Sequence, residues 1–584
     1  MLLHRNIYSL TTLLAQVTLY NVVSSCVNDL AGLRKEFPTN PNCRFLPDDN
    51  GWPSSKVWSQ LNETVGGRLL TGVPLGKPCY EADYSPETCA ELRDNWTGLT
   101  PFLNDPVNVI ASFWQNNSCN PFFGQNGRCV LGNMASYAIN VSSGGDVVAG
   151  IEFAEANNIR LTIKSTGHDY LGRASGHGSL ALWTHNLKGI NFLNYSSPGY
   201  TGPAARVGAG VESSELLAAA SARGYRAVAG ECATVSVAGG FTQGGGHSTL
   251  GATYGMAADQ VLEWEVVTAT GQHLTVSSTT ENSDLFWALS GGGAANYAVV
   301  ISMTVKIYPD GPVAGGTFSF VNTDEMAFWA AVSAWINHTL FLDKIPSFNT
   351  GWSMTAQGFQ LVYAMLPDGT AEDVTNALEP VITQIKALNV SFATNTVMVS
   401  PNYKESYDTF LTQAYSTNNT LASRLIPRSL VQNNLSALVD VMRAMTKSDM
   451  PYLINGIAGN VAHQSVGNSP TSNAVLPAWR DSVYHMSFGV GWPATAGWDV
   501  LSAGQKLLNE WQAMLREITP GGGTYMNEAT YDNPTWKEDY FGDNYGKLLR
   551  IKRKYDPNNL FWANAAVGSD ESWKVEADGR LCRL

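Results

Sequence analysis

The 584-residue sequence has few charged side chains and lacks several common catalytic motifs. Charged residues make up 15% of the chain, the net charge is −13, and no basic cluster is longer than residues 550–554. Because a nucleic-acid-binding protein needs a basic surface, we expect no nucleic acid partner. G-x-S-x-G, H-E-x-x-H, P-loop and strand-linked G-x-G-x-x-G segments are all missing, which removes the main support for hydrolase, zincin, P-loop and Rossmann functions.

Long uninterrupted apolar runs are also missing, although hydrophobic residues make up 44% of the chain, enough to exclude a disordered protein. Arg5 and a mostly apolar stretch over residues 7–23 form the pattern of a secretory signal peptide, with cleavage near Ser25. No segment is long and apolar enough to span a membrane, so we expect no membrane partner. Sequons for N-glycosylation agree with a secreted glycoprotein and begin at Asn62, Asn95, Asn116, Asn140, Asn194, Asn337, Asn389, Asn418 and Asn434.

The eight cysteines include no C-x-x-C pair, which argues against a structural zinc site. In an oxidising compartment disulfides are the expected state. Six cysteines lie as neighbours, which predicts the local pairs Cys26–Cys43, Cys79–Cys89 and Cys119–Cys129. The two others, Cys232 and Cys582, either pair with each other or leave Cys232 for another role. Three histidines, His168, His177 and His185, have a spacing that fits no usual ligand pattern, so no metal is expected.

Helix and strand patterns alternate without a simple period, which favours an α+β fold over a doubly wound sheet. Loop-rich residues 26–105 form an N-terminal extension. Strands are predicted over residues 160–163, 180–183, 205–207, 262–269, 273–276, 316–321 and 360–365. Helices are predicted from Gly145 and over residues 213–222, 370–387, 430–446 and 545–555. We expect the 370–387 helix to be kinked or broken at Pro380.

Two glycine-rich segments carry the strongest functional signal. The first, residues 163–173, reads I-K-S-T-G-H-D-Y-L-G-R, and a loop with small residues around Gly167 can offer backbone N–H groups to an anion. The second, residues 230–247, reads G-E-C-A-T-V-S-V-A-G-G-F-T-Q-G-G-G-H, and its glycines allow the backbone to lie flat against a large ligand. A cofactor with a pyrophosphate would use both segments. Tight turns in a glycine-rich fold are the alternative for either segment alone.

The motifs resemble those of the FAD-linked oxidases of the berberine-bridge-enzyme type, in the vanillyl-alcohol-oxidase superfamily, and most closely their secreted fungal branch. The resemblance covers about residues 119–308 and 524–573. Its motifs are K-S-T-G-H-D-Y-L-G-R, G-E-C-A-T-V, G-G-F-T-Q-G-G-G-H, A-A-D-Q-V-L-E-W-E-V-V-T-A, D-L-F-W-A-L-S-G-G-G, F-G-D-N-Y-G-K-L and Y-D-P-N-N-L-F.

The resemblance implies an α+β protein with a two-lobed, PCMH-type FAD-binding domain over residues 119–312. An α+β substrate-binding domain with an antiparallel sheet would follow over residues 313–519, and residues 520–584 would return to the FAD-binding domain. Residues 1–25 would be the signal peptide. Residues 26–118 would form an N-terminal extension held by disulfides.

The resemblance further implies FAD as a covalently bound cofactor. His168 matches the histidine that carries the flavin 8α-methyl bond, and Cys232 matches the cysteine bonded to flavin C6 in bicovalent members, which would leave Cys582 free. Ala233 and Ser236 depart from the C-P-T-V-G pattern of the family. The other implied cofactor-binding residues are Lys164, Ser165, Thr166, Gly167, Asp169, Gly239, Gly240, Gly244, Gly245, Gly246, Asn544 and Tyr545.

Two further residues are candidates for catalysis. Val235 matches a gatekeeper position at which oxygen-reactive members tend to have valine, and Tyr525 is a candidate base or orienting phenol. The implied activity is hydride transfer to FAD from a C–H next to a hydroxyl or amine of a small metabolite or carbohydrate, followed by reoxidation with O2 to give hydrogen peroxide. A dehydrogenase with another electron acceptor and a non-catalytic flavin-binding glycoprotein are the alternatives.

Overall fold

Three larger β-sheets form the frame of the protein over the residues that the computed structural model describes, 42–115, 117–411 and 417–584. Sheet A contains, in spatial order, Leu69–Thr71, Tyr137–Asn140, Leu180–Trp183 and Leu161–Lys164. The last three of these strands are parallel, because helix Gly144–Ala156 crosses from Tyr137–Asn140 to Leu161–Lys164. Ser143 and Asp146 form a capping box that fixes the start of this helix. The chain then leaves sheet A directly into the first glycine-rich segment.

Sheet B is antiparallel and lies at the centre of the largest hydrophobic core. Its strands, in spatial order, are Ile190–Ser197, Tyr200–Gly208, Ala298–Lys306, Val261–Thr268 and His273–Ser277. Helices Ser213–Ser221 and Ser283–Leu289 contribute side chains to the same core. Trp264 is fully buried there and donates a 3.0 Å hydrogen bond from Nε1 to Ser290, so its one polar atom is satisfied.

Sheet C is the largest sheet among the described residues and is antiparallel throughout. Its strands, in spatial order, are Phe392–Ser400, Val313–Val321, Gly358–Pro367, Asn349–Met354, Tyr452–Gly459, Ser482–Gly491 and Asn419–Pro427. A second hydrophobic core combines side chains of sheet C with side chains of four helices, Glu325–Leu342, Ala371–Ala387, Arg428–Met445 and Trp498–Ile518. Because side chains alternate across a strand, every second side chain of sheet C points to the opposite face, away from this core.

Shorter elements connect these sheets. Strand Tyr225–Arg226 pairs with Tyr308–Pro309, and Trp573–Val575 pairs with Leu581–Arg583. The remaining α-helices of the described residues are Ser55–Thr64, Pro86–Asn95, Thr100–Leu103, Gly251–Tyr254, Tyr403–Phe410, His463–Val466, Ala478–Asp481, Trp536–Phe541, Tyr545–Tyr555 and Ser569–Ser572. Among the described residues, no helix combines the length and the apolar character that crossing a membrane requires.

The mixed α+β architecture with antiparallel sheets is as the sequence predicts. The predicted helix over residues 545–555 is confirmed as Tyr545–Tyr555. Helix Ala371–Ala387 continues through Pro380 without a break, whereas Arg428–Met445 contains a non-helical residue at Asn434. Asn418 is buried, so this sequon is not accessible in the folded chain.

The disulfides agree with the sequence at two of the three predicted local pairs. Cys79–Cys89 and Cys119–Cys129 are both present. Cys26, like the predicted signal peptide over residues 1–25, lies outside the described residues, so its pairing stays a prediction. Cys43 and Cys582 are each disulfide-bonded, so the expectation of a free Cys582 is wrong. That expectation followed only from the assignment of Cys232 to the flavin, because Cys582 itself lies beyond the last motif of the family resemblance.

Candidate active site

A cavity of about 1050 Å³ is bounded by the two glycine-rich segments on one side and by sheet C on the other. This volume is slightly above the usual range of about 300–1000 Å³ for small-molecule and cofactor sites. Alternate residues of the sheet C strands face the cavity, while their neighbours face the hydrophobic core. The residues that show this alternation toward the cavity are Gln360, Val362, Leu453, Asn455, Ile457, Ser487, Gly489 and Gly491.

The first glycine-rich segment lines the cavity over residues 165–169, immediately after strand Leu161–Lys164. Gly167 has a φ of +86°, in the left-handed region that favours glycine. The Asp169 carboxylate accepts hydrogen bonds from the backbone N–H groups of Leu171, at 3.0 Å, and Ala174, at 2.7 Å. Asp169 therefore holds the turn that directs His168 toward the cavity.

The second glycine-rich segment contributes Glu231, Cys232, Val235, Gly239 and Gly240 to the lining. A Cβ atom built on Gly240 would meet nothing within 4 Å, so the backbone here borders open space. A flat ring system could lie against such a surface without meeting a side chain.

His168 and Cys232 meet at the wall of the cavity, on either side of Thr234. The Sγ atom of Cys232 lies 3.8 Å from Nε2 of His168, and the Thr234 hydroxyl lies 2.7 Å from the same nitrogen. Burial alone would raise the pKa of the Cys232 thiol, but the His168 charge and hydrogen bonds from His168 and Thr234 lower it to about 7. A substantial fraction of Cys232 is therefore thiolate at neutral pH, the form that acts as a nucleophile.

Several residues that the resemblance associates with the cofactor are not among those lining the cavity. Lys164 is buried and donates hydrogen bonds to the carbonyls of Asp105, at 2.7 Å, and Phe102, at 3.3 Å. Asn544 donates to backbone carbonyls of residues 474 and 475, and the Tyr545 hydroxyl accepts from the backbone of residue 568. Their contacts position neighbouring segments.

The run of glycines at 244–246 also packs behind the lining. A Cβ atom at Gly244 would lie 2.4 Å from Oδ1 of Asn527, and one at Gly246 would lie 2.9 Å from the Phe241 ring. Gly245 and Gly246 have φ values of +110° and +72°. Glycine is required here for close approach of the C-terminal segment and for the backbone conformation.

The C-terminal segment closes one side of the cavity through Tyr525, Asn527 and Glu528. The Asn527 amide donates to the Tyr525 hydroxyl, at 2.9 Å, and to the carbonyl of Gly240, at 3.0 Å, which joins this segment to the second glycine-rich segment. Burial, and secondarily the Glu528 charge, raise the pKa of Tyr525, so its phenol is protonated at neutral pH.

A cluster of ionisable residues that the sequence did not single out lies beside Tyr525. Nε2 of His247 is 3.0 Å from Oε1 of Glu528, its Nδ1 is 3.6 Å from Glu231, and Nε2 of His485 is 3.8 Å from Oε2 of Glu528. Burial would lower the pKa of His247, but the two carboxylates raise it to about 10. Burial lowers the pKa of His485 to about 4. Glu528 therefore lies between a cationic and a neutral imidazole.

The sequence held partial signals for this cluster. His247 closes the second glycine-rich segment, Glu231 precedes Cys232, and Glu528 follows Tyr525 within a matched segment. His485 lies in a strand of sheet C without any motif, and only the three-dimensional structure brings it to the other residues.

Comparison with known proteins places these features in a family. Residues 135–277 match the model of the FAD binding domain, and residues 524–568 match the model of berberine and berberine-like proteins. The chain is 40% identical over 570 residues to the VAO-type flavoprotein oxidase VAO615 of Thermothelomyces thermophilus, with 94% of this chain and 97% of that protein covered. It is 39% identical over 562 residues to the FAD-linked oxidoreductase patO of Aspergillus clavatus, with 94% and 95% covered.

Solved structures agree. The crystal structure of the VAO-type flavoprotein MtVAO615 from Myceliophthora thermophila C1 matches with a TM-score of 0.87 at 39% identity. The match covers 93% of this chain and 100% of that chain. A glucooligosaccharide oxidase of Acremonium strictum shares the fold at 19% identity, with a TM-score of 0.62 over 74% of this chain and 91% of that one. The protein therefore belongs to the VAO-type, berberine-bridge-like family of FAD-linked oxidoreductases.

Proposed function

We propose that this protein is a secreted oxidase whose FAD is bound covalently through His168 and, by a second bond, through Cys232. The observation that carries the proposal is the 3.8 Å approach of the Cys232 sulfur to the His168 imidazole at the wall of the large cavity. A relative of the same fold is described as a glucooligosaccharide oxidase with a 6-S-cysteinyl, 8α-N1-histidyl FAD. The same pair of residue types in this chain supports the same double attachment.

The donor set and the shape of the cavity both fit a flavin. The Thr234 hydroxyl and the Cys232 sulfur are close to Nε2 of His168, so we assign the flavin bond to Nδ1. The thiolate form of Cys232 would supply the nucleophile for the second bond, with the proton at flavin C6 released and the two electrons passed on to O2. The glycine-rich wall at Gly240 gives a flat ring system access to the backbone.

When bound, the flavin would supply the redox chemistry, which is hydride acceptance from the substrate carbon and electron transfer to O2 to give hydrogen peroxide. The protein binds and orients the substrate. Since the phenol of Tyr525 is protonated at neutral pH, we assign it the role of an orienting hydrogen-bond donor to the substrate oxygen in preference to that of a base. Val235 lines the cavity three residues after Cys232, where its small side chain would leave space for O2.

The lining of the cavity supports a substrate with several hydroxyl or carbonyl groups. Sheet C presents the amide and hydroxyl side chains of Gln360, Asn455 and Ser487 to the cavity. Amides and hydroxyls donate and accept hydrogen bonds. A carbohydrate or a hydroxylated secondary metabolite offers several groups that can pair with them. A carbohydrate oxidase from Microdochium nivale shares the fold.

Secretion is part of the proposal and rests on two observations. The N-terminal sequence has the pattern of a signal peptide. The protein also contains the disulfides Cys79–Cys89 and Cys119–Cys129, and disulfides are typical of proteins that mature in an oxidising compartment.

The oxidase activity is tested by photoreducing the purified protein without oxygen and then mixing it rapidly with air-saturated buffer. We expect the yellow absorbance to return rapidly, with one hydrogen peroxide formed for each flavin. Slow return in air but rapid return with an added quinone would identify a dehydrogenase and contradict the oxidase proposal. Peroxide release from a panel of sugars and phenolic or other secondary alcohols then identifies the substrate.

A further inference from the structure

We propose that His247, His485 and Glu528 bind a divalent transition-metal ion, with Zn²⁺ as the best-suited ion, at the edge of the cavity. No metal was expected from the sequence, because that expectation rested on the spacing of three other histidines, His168, His177 and His185. Two histidines and one glutamate are a known ligand set of catalytic zinc sites, in which imidazole nitrogens and a carboxylate oxygen bind the ion.

The three side chains offer one ligand atom each within a space that suits a single ion. Nε2 of His247 and Oε1 of Glu528 are 3.0 Å apart, and all three candidate ligand atoms lie within 4.8 Å of one another. Ligands of a tetrahedral zinc ion at its usual bond length of about 2.0–2.1 Å are separated by about 3.4 Å. The atoms therefore need only small side-chain rotations to reach one ion, and binding would displace the proton that the two carboxylates hold on His247.

His485 gives a second, independent reason to expect a ligand. Its side chain is completely buried, at 0% exposed. Among the described residues neither of its ring nitrogens has a hydrogen-bond partner. Buried polar atoms are almost always satisfied, because leaving one without a partner costs free energy. A metal ion bound to one ring nitrogen would remove that cost at Nε2, the nitrogen nearer to Glu528.

The surroundings hold the three side chains in place. His247 comes from the end of the second glycine-rich segment, His485 from strand Ser482–Gly491, and Glu528 from the C-terminal segment. The ring of His485 packs against Trp479 at 5.4 Å and Tyr525 at 5.6 Å between ring centres. Metal-binding histidines usually have a carboxylate near their other ring nitrogen, and Glu231 lies 3.6 Å from Nδ1 of His247.

The site would keep an open coordination position toward the cavity. His247 and Glu528 line the cavity, whereas His485 is not among its lining residues. Three protein ligands with a fourth, open position are the arrangement of catalytic zinc sites. This last point rests on the proposed oxidase function: a substrate hydroxyl oxygen that occupies the open position would be polarised by the ion and held next to Tyr525.

Zinc content of the holoenzyme tests the proposal. We would incubate purified protein with excess Zn²⁺, remove free ion by gel filtration, and measure zinc and flavin per chain. About one zinc ion per chain is expected for the wild type. His485→Phe, which keeps a ring among Trp479 and Tyr525, and Glu528→Gln, which keeps the shape of the side chain, should each retain less than about a tenth of that.

The matched control is His273→Gln, because His273 and Glu265 form a histidine–glutamate pair at the surface, with Nε2 and Oε1 2.9 Å apart. This variant should bind zinc like the wild type. A wild type without zinc, or variants at His485 and Glu528 that bind as much zinc as the wild type, would overturn the proposal. Photoreduction and reoxidation of the flavin are measured on the same samples, so a failed metal site leaves the oxidase result standing and a failed oxidase result leaves the zinc count standing.

Discussion

The Sγ atom of Cys232 lies 3.8 Å from Nε2 of His168, although 64 residues separate the two in the chain. The charge of His168, with hydrogen bonds from His168 and Thr234, lowers the pKa of the Cys232 thiol to about 7. Because the thiolate is the reactive form, alkylation of flavin-free protein by iodoacetamide should speed up as the pH rises through about 7 and stay slow below it. Among the described residues Cys232 is the free cysteine, so peptide mass spectrometry can follow the reaction at this site.

Thr234 is the internal test of that prediction. Thr234→Val removes a hydroxyl that lies 3.5 Å from the sulfur and helps to lower the thiol pKa. The midpoint of alkylation should therefore move to higher pH in this variant, while valine keeps the branched shape of the side chain. An unchanged midpoint would show that the hydroxyl does not stabilise the thiolate.

Val235 tests the access of O2. A larger side chain in the variant Val235→Leu would reduce the space beside the flavin, and we expect reoxidation of the photoreduced protein to slow at least about tenfold, equivalent to about 1.4 kcal/mol in the barrier. The flavin content should not change. Equal reoxidation rates in the variant and the wild type would exclude a gatekeeper role for this position.

Tyr525 tests the orientation of the substrate. With a substrate identified from peroxide release, Tyr525→Phe should lower kcat about 100-fold, because removal of one preorganised hydrogen-bond donor to the reacting oxygen typically costs about 10²–10³-fold. The flavin spectrum should stay the same. Tyr200→Phe removes a hydroxyl that bonds the Pro203 carbonyl in sheet B and should leave kcat unchanged. An unchanged kcat in Tyr525→Phe would contradict the assignment.

The buried ion pair between Arg424 and Asp539 tests how the C-terminal segment is held. Nη1 of Arg424 lies 2.6 Å from the Asp539 carboxylate, with both side chains at most 5% exposed. Asp539→Ala leaves a buried guanidinium without its partner, which should lower the free energy of unfolding by about 3–5 kcal/mol. Denaturant titration measures this loss. Glu510→Ala, which breaks an exposed pair with Lys506, should cost less than about 1 kcal/mol.

The sequence allowed prediction of the parts of the site that follow from local motifs. His168 and Cys232 each lie in a segment whose glycines require a particular backbone path, and both segments do border the same cavity. The α+β class was also predictable, because the helix and strand patterns change period along the chain.

The contacts that depend on strand register or on distant parts of the chain were not predictable. His485 reaches the site because Ser482–Gly491 pairs in one particular register with Tyr452–Gly459, and a single residue of slip would turn its side chain to the opposite face. Side chains alternate along strand Leu161–Lys164, so Lys164 points away from the cavity although its neighbour Ser165 lines it. The bonded state of Cys582 depends on a residue far away in the sequence, which spacing alone cannot identify.

Acid denaturation followed by peptide mass spectrometry tests the central claim most directly. The account predicts that the yellow colour stays with the precipitated chain and that one flavin joins the peptides of His168 and Cys232. His168→Ala and Cys232→Ala should each retain a flavin on the other residue, and the double variant should release it. Release of the flavin from the wild-type protein, leaving a colourless chain, would contradict the account.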